Sequence, residues 1–223
     1  EEIPCFALTE PMAGSDAGSM SAQGEVFRGD DGEIKIRLNW KKRYITLAAI
    51  ATVLGIAFKL RDPQNILGKG DDIGITCAIV PKELPGIVIG DRHDPLGVPF
   101  YNCPTEGVNV EIPISNVIGG ESQVGNGWKM LMECLSQGRG ISLPSNCSGG
   151  AKMVARVTGS YSQIRKQFGL SIGKFEGIHE PLSRIGAYTY LLDAVRIVTA
   201  GAVDQGIKPA VTSAIAKYHA TET

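Results

Sequence analysis

The sequence predicts an α+β protein in two units. The first is an antiparallel β-barrel or sandwich over residues 1–120, and the second is part of an α-helical, four-helix-bundle-type domain over residues 121–223. Three observations support this. Apolar and polar residues alternate in the first half, clusters of turn-forming residues separate the alternating runs, and the apolar spacing becomes helical from about Gly125 onward.

The strands of the first unit are recognised by their period of two. Residues 33–38, "EIKIRL", and residues 107–113, "GVNVEIP", both place every second side chain on an apolar face. The turn clusters between the strands lie at residues 29–32, 61–65, 68–72 and 82–86. Frequent turns between short alternating runs are typical of a barrel or a sandwich.

The helices of the second unit are recognised by apolar residues three and four positions apart. In "GWKMLMECL", residues 127–135, that face consists of Trp128, Leu131, Met132 and Leu135. We expect Pro144 and the pair Gly149-Gly150 to bend or break the second half of this first helix. Further helices are predicted over residues 151–167, over residues 178–205, and from residue 208 onward with Pro209 in the first turn.

Composition argues against several classes of protein. The 223 residues are 43% hydrophobic and 20% charged, as in an ordinary globular domain. The net charge of −1, with no basic block, argues against nucleic acid as a partner. Five scattered cysteines without a C-x-x-C pair predict reduced, buried thiols and neither a disulfide framework nor a metal site. The three histidines are isolated, and each is interpreted as structural.

The longest uncharged stretch and the two ends bear on location. Tyr44–Phe58 has 15 residues, too few for a helix across a bilayer, so two buried strands are predicted there. No secretory signal is visible, and we expect a bacterial cytoplasmic protein whose full-length form can associate peripherally with a membrane. Because the chain lacks an initiator Met and stops inside a helix-like pattern, we expect it to be a fragment of a longer protein.

The first segment that carries chemistry is "CFALTEPMAGSDAGS", residues 5–19. Its apolar start predicts a strand that ends close to a hydroxyl, that of Thr9. Gly14 lets a ligand approach the backbone closely, Ser15 supplies a donor, and consecutive exposed amides can hold an anion. The alternative is a simple Asx or Ser turn that binds no ligand.

The second segment is "KRYITLA", residues 42–48. Tyr44 and Thr46 are two residues apart and therefore share one face of the predicted strand. In a buried apolar strand the Thr46 hydroxyl needs a hydrogen-bonding partner. An aromatic ring and a hydroxyl on one face can support a planar heteroaromatic cofactor. The alternative is an ordinary aromatic of the core.

Together the two segments resemble the middle β-domain of flavin-dependent acyl-CoA dehydrogenases, which carries Thr-Glu-Pro-x-Ala-Gly-Ser-Asp and then Trp-Ile-Thr. Residues 111–131, "EIPISNVIGGESQVGNGWKML", resemble the exit from that domain into the first helix of the C-terminal bundle. "GRG" around Arg139 and "YSQIRKQFG" at residues 161–169 match further family motifs in order, so the resemblance covers essentially the whole chain. Residues 175–185, "FEGIHEPLSRI", resemble the long bacterial branch of fatty-acid β-oxidation, in which many members carry Gln near the Glu176 position.

The resemblance implies that FAD is the cofactor and that both segments bind it. Thr9 would hydrogen-bond the pyrimidine edge of the flavin, Ser15 would lie beside the pyrophosphate, and Thr46 would donate to the redox-active ring. Tyr44 stands where most members stack a tryptophan, and its ring offers less area. We do not expect the nearby Trp40 to compensate. The implied cofactor-binding residues are Phe6, Ala7, Leu8, Thr9, Gly14, Ser15, Tyr44, Ile45, Thr46, Arg165 and Phe168.

For the substrate, the resemblance implies that Ser15 and Arg139 bind the acyl-CoA. The alternative for Arg139 is a surface charge on a helix. Arg165 and Phe168 match family residues that reach the FAD of a partner subunit, and the planar guanidinium of arginine suits a pyrophosphate. The implied active form is therefore a homodimer or a larger homo-oligomer.

The implied reaction is α,β-dehydrogenation of a fatty acyl-CoA to the trans-2-enoyl-CoA, with electrons passed to an electron-transfer flavoprotein. Most members carry the base, a Glu, on a late loop of the bundle, which is expected beyond residue 223. A minority carry it directly before the arginine, where this chain has Gly138, and Glu133 is more than one helical turn from Arg139. We therefore expect no catalytic base in this chain, and an inactive fragment that binds FAD weakly or not at all.

Three alternatives to this function stay open. One is an acyl-CoA oxidase of the same family, which passes its electrons to oxygen. Another is a non-catalytic module that binds acyl-CoA or flavin and has kept the fold. The third is an interaction module of strands and helices without any ligand.

Overall fold

The computed structural model describes residues 1–97 and 101–223, except the side chain of Gln137. The chain divides into two compact units, Glu1–Met130 and Leu131–Thr223. The first contains a β-sheet and the second is helical, so the predicted α+β fold class is confirmed. The domain boundary that we place at residue 120 stays a prediction.

Seven strands of the described residues form one sheet in the first unit. They are β1 (Pro4–Ala7), β2 (Gln23–Arg28), β3 (Ile34–Thr46), β4 (Val53–Arg61), β5 (Asp72–Pro81), β6 (Ile87–Ile89) and β7 (Asn102–Pro113). The order is β1-β4-β2-β3-β7-β6, and β5 pairs with β4. The stretch Tyr44–Phe58, with its two predicted strands, contains the end of β3 and the start of β4.

The sheet is mixed, whereas the sequence predicts an antiparallel one. β1 and β2 both pair in parallel with β4, and the other pairs are antiparallel. β1 lies against Val53–Ile56 and β2 against Lys59–Arg61, while β5 pairs along β4 from Val53 to Arg61. Alternation reports which face of a strand is buried but not the direction of its neighbour, so the two parallel pairs were missed.

The core of this unit is built from alternate residues of its strands. Among its fully buried members are Val26, Ile36, Leu38, Leu54, Ile56, Phe58, Val110 and Ile112. Trp40 packs flat on Gly107 of β7, where a Cβ atom would lie 2.2 Å from Cζ3 of the indole. A side chain at that position would therefore displace the Trp40 ring.

Four helices and a short hairpin follow. They are α1 (Gly127–Gly140), α2 (Ser142–Ile164), β8 (Lys166–Gln167), β9 (Leu170–Ser171), α3 (Glu176–Asp204) and α4 (Ala210–Glu222). α1 begins close against β5, since a Cβ on Gly125 would lie 2.7 Å from the Ile73 carbonyl oxygen and one on Gly127 would lie 2.8 Å from that of Ile75. The two glycines of "GNG" therefore permit this close approach of helix and strand.

The predicted break in the helices is wrong in its position. The chain breaks between Gly140 and Ser142, and α2 then runs through Pro144 and through Gly149-Gly150. Pro144 lies in the first turn of α2, where its missing N–H is not needed. Glycine in a helix interior costs about 1 kcal/mol relative to alanine but does not break the helix. α2 also ends at Ile164, before Gln167, because Lys166–Gln167 pair with β9.

The burial of the cysteines agrees only in part with the sequence prediction. Cys5, Cys77 and Cys103 are buried as predicted, whereas Cys147 is partly exposed and Cys134 is exposed on α1, so the predicted burial of those two is wrong. Burial raises the pKa of the Cys5 thiol to about 11, which keeps it protonated at neutral pH.

Among the described residues, no helix has both the length and the apolar character to cross a membrane.

Candidate functional site

The site lies where β3 loses its regular pairing with β7. Up to Lys42 the inward-facing residues of β3 are the even-numbered ones, from Ile36 onward. Lys42 lies opposite Thr105 and Ile45 opposite Cys103, so β3 contains one residue more than β7 between these points. This is a β-bulge, which exchanges the two faces of the strand beyond it.

The bulge sets the environment of Tyr44 and Thr46. Ile45 takes the buried position, and Tyr44 and Thr46 are both exposed, Tyr44 to 45%. Our expectation that Thr46 lies in a buried strand is therefore wrong, because regular alternation ends at Lys42. The Tyr44 backbone has φ of +57°, a left-handed conformation that an aromatic residue rarely adopts outside constrained sites.

β1 contributes a second exposed aromatic side chain. Cys5 and Ala7 face the core, and Phe6 between them is 42% exposed. Phe6 lies opposite Gly55 of β4, where a Cβ atom would approach the Phe6 ring to 2.7 Å. The ring therefore lies over the glycine. The strand ends at Ala7, so Leu8 and Thr9 follow it as a partly exposed extension.

Three hydrogen bonds bring the two predicted segments together. The Lys42 ammonium donates to the Leu8 carbonyl oxygen at 3.0 Å and to Glu10 Oε1 at 2.8 Å. The Arg43 backbone N–H donates to the Thr9 carbonyl oxygen at 3.0 Å. "ALTEP" and "KRYIT" are thus neighbours in space, and Thr9 lies beside the bulge.

Sequence reasoning missed the ion pair between Glu10 and Lys42. The Lys42 side chain is fully buried, and 2% of the Glu10 side chain is exposed. Glu10 also accepts hydrogen bonds from the Ser21 N–H at 2.5 Å, the Ser21 hydroxyl at 2.7 Å and the Ala22 N–H at 3.0 Å. Burial raises the pKa of the Glu10 carboxyl, but these bonds outweigh burial and hold the pKa below its ordinary value. The available signal was Lys42, a lysine in the inward register of "IKIRLNWKK", residues 34–42.

The loop after Glu10 has its own hydrogen bonds. Glu10 and Ala13 exchange two backbone hydrogen bonds of 3.1 and 3.3 Å, and the Ser19 hydroxyl donates to the Asp16 carboxylate. Gly14 and Ser15 form an exposed part of the loop, and a Cβ at Gly14 would meet nothing within 4 Å. The local-turn interpretation accounts for the ends of this loop, while the backbone at Gly14 and Ser15 stays open to another molecule.

Tyr44 lies between a cation and an imidazole. The Arg43 guanidinium lies 4.2 Å from the Tyr44 ring centroid, and its Nη2 donates to the Tyr44 hydroxyl at 2.5 Å. The His93 ring centroid lies 4.3 Å from that of Tyr44 at an interplanar angle of 45°. Trp40 faces the core, where its Nε1 donates to Thr105 Oγ1 at 3.3 Å, so it does not share the exposed surface of Tyr44.

Unused hydrogen-bonding capacity lies beside Thr46. Asn102 lies opposite Thr46 in the sheet. The backbone carbonyl oxygen of Asn102 accepts a hydrogen bond from the backbone N–H of His93 at 2.7 Å. Within the described residues, Asn102 Oδ1 and His93 Nε2 are buried atoms without a hydrogen-bonding partner. Such atoms are uncommon in folded proteins, and both belong to neighbours of the bulge, since Asn102 lies opposite Thr46 and His93 beside Tyr44.

The remaining predicted residues lie in the second unit. Arg139 is exposed in the last turn of α1. Arg165 is exposed directly after α2, and Phe168, 95% exposed with φ of +52°, lies in the turn between β8 and β9. Glu133 accepts a hydrogen bond from Lys208 at 3.1 Å.

Two consecutive family models match this chain. The acyl-CoA dehydrogenase middle domain matches residues 5–110, and the acyl-CoA dehydrogenase C-terminal domain matches residues 125–223. The chain belongs to the acyl-CoA dehydrogenase family. This confirms the family that the sequence motifs indicate, a family of oxidoreductases.

The curated relatives include one named as a probable acyl-CoA dehydrogenase and one with a different name. The protein named HemX of Proteus mirabilis is 54% identical over 104 residues, which are 47% of this chain and 61% of that protein. The probable acyl-CoA dehydrogenase FadE10 of Mycobacterium tuberculosis is 30% identical over 222 residues, which are 99% of this chain and 32% of that protein. The chain therefore spans about a third to three fifths of the length of these relatives.

Solved structures of acyl-CoA dehydrogenases have the same fold. An acyl-CoA dehydrogenase of Geobacillus kaustophilus superposes with a TM-score of 0.84 at 25% identity, over 99% of this chain and 55% of that chain. Butyryl-CoA dehydrogenase of Megasphaera elsdenii superposes with a TM-score of 0.81 at 28% identity, over 98% of this chain and 54% of that chain. A further structure, described as PigA with FAD and proline, superposes with a TM-score of 0.79 at 27% identity, over 99% of this chain and 54% of that chain.

Proposed function

We propose that the intact protein is an FAD-dependent acyl-CoA dehydrogenase that converts fatty acyl-CoA to trans-2-enoyl-CoA and passes electrons to an electron-transfer flavoprotein. The observation that carries this proposal is the bulge of β3, which exposes Tyr44 and Thr46 next to the end of β1. Family membership and the FAD named for one structural neighbour support it. Three hydrogen bonds hold the two segments together before any ligand binds.

The residues of the first unit fit a flat, polar cofactor. Tyr44 offers an exposed ring, and Thr9 and Thr46 offer partly or fully exposed hydroxyls from neighbouring segments. Gly14 and Ser15 offer an open backbone for the pyrophosphate. We propose that Phe6, Ala7, Leu8 and Ile45 complete the binding surface through their backbone and, for Phe6, its exposed ring. FAD supplies the two-electron chemistry when bound, and these residues bind and orient it.

We propose that a second copy of the chain completes the site. Arg165, directly after α2, and Phe168, in the turn between β8 and β9, are both exposed, although the Phe168 ring meets the Phe175 ring edge to face at 6.3 Å between centroids. An arginine fork suits a pyrophosphate, and the Phe168 ring, 95% exposed, is accessible to a partner subunit. Arg139, exposed in the last turn of α1, and Ser15 are each proposed to bind the acyl-CoA.

The two carboxylates of interest are both engaged. Glu10 is buried and accepts hydrogen bonds from Lys42, Ser21 and Ala22, and Glu133 accepts one from Lys208. We therefore propose that neither is the base that removes the α-proton. That the base lies beyond residue 223 stays a prediction, as do the inactivity of residues 1–223 alone, their weak binding of FAD, and a cytoplasmic location.

The test uses the intact protein and its flavin absorbance. Fatty acyl-CoA added without oxygen is expected to bleach the flavin, and Y44L is expected to weaken FAD binding by about tenfold because a stacked ring is lost. The matched control is Y190L, since Tyr190 is 81% exposed on α3 and belongs to no proposed site. Equal FAD affinity in wild type and Y44L would contradict the assignment of Tyr44.

The acceptor and the alternatives are distinguished by the products. Reduction of an electron-transfer flavoprotein without oxygen consumption is the expected result. Rapid oxygen consumption with hydrogen peroxide would identify an oxidase. Binding of FAD and acyl-CoA without bleaching would identify a non-catalytic module, and absence of binding to either would leave an interaction module.

A further inference from the structure

We propose that the buried Glu10–Lys42 ion pair is a positioning device that fixes Thr9 against the Tyr44–Thr46 segment. The proposal rests on the flavin-binding function proposed above and assigns two residues to it that bind no ligand themselves. Both act through the backbone of the segment that they hold, so they are positioning residues and not catalytic ones.

The pair, together with the backbone of the next residue of β3, holds three consecutive residues of the first segment. Lys42 Nζ lies 3.0 Å from the Leu8 carbonyl oxygen and 2.8 Å from Glu10 Oε1, and the next residue of β3, Arg43, binds the Thr9 carbonyl oxygen. Thr9 is therefore fixed on both sides. Because β1 ends at Ala7, no strand pairing of β1 itself holds Leu8 and Thr9.

The pair also anchors the start of the bulge. Lys42 is the last residue of β3 in the regular inward register, and Tyr44 follows with its left-handed backbone. A displacement of Lys42 is therefore passed on to the two residues that the bulge exposes. One side chain thus connects the position of Thr9 with the positions of Tyr44 and Thr46.

Stability alone does not require charges at these positions. Desolvating an ion pair offsets most of the attraction within it, and apolar residues of similar volume often stabilise a fold equally well. The charges instead fix the geometry of the groups that they bind. An ammonium group holds a carbonyl oxygen and a carboxylate in a fixed geometry, and a methionine in its place holds neither.

The chain offers a matched control one residue earlier on the same strand. Lys41 forms an ion pair of 2.9 Å with Glu106 of β7, and both side chains are about half exposed or more. This pair is exposed to solvent and holds no part of residues 8–10. The two double variants, E10Q/K42M and K41M/E106Q, each remove one ion pair without leaving an unpaired charge.

The experiment compares the two double variants in the intact protein by three measurements. They are the thermal midpoint, the hydrogen exchange of the Arg43 amide without FAD, and the affinity and visible spectrum of bound FAD. For E10Q/K42M we expect a folded protein with faster Arg43 exchange, FAD affinity lowered by about tenfold and a shifted flavin spectrum. Its kcat is expected to fall by about 10- to 100-fold, more than KM changes. K41M/E106Q is expected to match wild type.

Each other outcome overturns the proposal. A folded E10Q/K42M variant with wild-type Arg43 exchange and wild-type FAD affinity shows that the pair positions nothing. A variant that does not fold shows that the pair holds the fold itself. If wild-type protein binds no FAD, the proposed function fails, and Arg43 exchange still decides whether the pair positions Thr9.

Discussion

The β unit and the helical unit bury different kinds of side chain. In the first unit the buried cluster contains large apolar residues from five of its strands, Trp40 among them, along with smaller alanines and cysteines. In the second unit four of the buried residues carry hydroxyls, namely Ser148, Ser162, Thr199 and Ser213. Large apolar side chains on its helices, such as Tyr161, Ile164, Tyr190 and Val211, are more than half exposed.

The difference lies in what fills the space between the elements of each unit. Each of these four hydroxyls binds a neighbouring group, as when Thr199 donates to the Gly140 carbonyl oxygen at 2.6 Å, and small residues let helices approach closely. The exposed apolar residues leave a surface of the kind that proteins cover with a partner. Two residues of the predicted apolar face of α1, Met132 and Leu135, are likewise more than two fifths exposed, whereas Leu131 of the same face is buried. This agrees with the proposed oligomer.

The largest effect is expected from emptying the β core. Phe58 is 1% exposed and packs over Gly24, so F58A is expected to lower the free energy of unfolding by about 3–5 kcal/mol. F168A in the helical unit, where the ring is 95% exposed, is expected to change it by less than about 0.5 kcal/mol. Urea denaturation of both variants measures this. Equal losses would break the contrast between the units.

A pair of glycine substitutions sharpens the contrast because opposite signs are expected. G107A forces a Cβ into the Trp40 ring and is expected to destabilise the protein by about 1–3 kcal/mol. G149A, at an open position inside α2, is expected to stabilise it by about 0.5–1 kcal/mol. Thermal unfolding of the two variants gives the signs directly. Destabilisation by G149A would show that α2 needs its glycine.

The buried pair gives the β unit a pH dependence. The pKa of Glu10 is lowered in the folded protein, so its contribution to stability is complete above the ordinary value of 4.5 and is lost as the pH falls through the lower, folded value. The urea midpoint of wild type is therefore expected to fall more steeply than that of E10Q below about pH 4.5. Parallel curves for the two proteins would contradict this.

The smallest effect is expected at Asp193, a partly exposed carboxylate of the helical unit. Lys152 and Arg196, with Ser148, hold the pKa of Asp193 far below its usual range. Salt screens such partly exposed pairs, so D193N is expected to lower the thermal midpoint slightly at low salt and not at all near 1 M salt. Salt is expected to leave the effect of E10Q unchanged, because that pair is buried. A D193N effect that persists in high salt would show a buried role.

Local patterns of the sequence were sufficient for the fold class and the family. The change from a period of two to helical spacing near Gly125 reflects which side chains are buried, and burial is encoded residue by residue. The motifs at residues 5–19 and 42–48 were sufficient to indicate the acyl-CoA dehydrogenase family, which the comparisons confirm. The residue roles within those motifs stay predictions.

Only the tertiary structure decided which face Tyr44 and Thr46 occupy. The bulge depends on the pairing of β3 with β7, some 60 residues away, and local alternation carries no trace of it. The same holds for the parallel partners of β4 and for the bonds from Lys42 to Leu8 and Glu10. A sequence specifies burial through its own composition, whereas register and charge pairing exist only once distant strands meet.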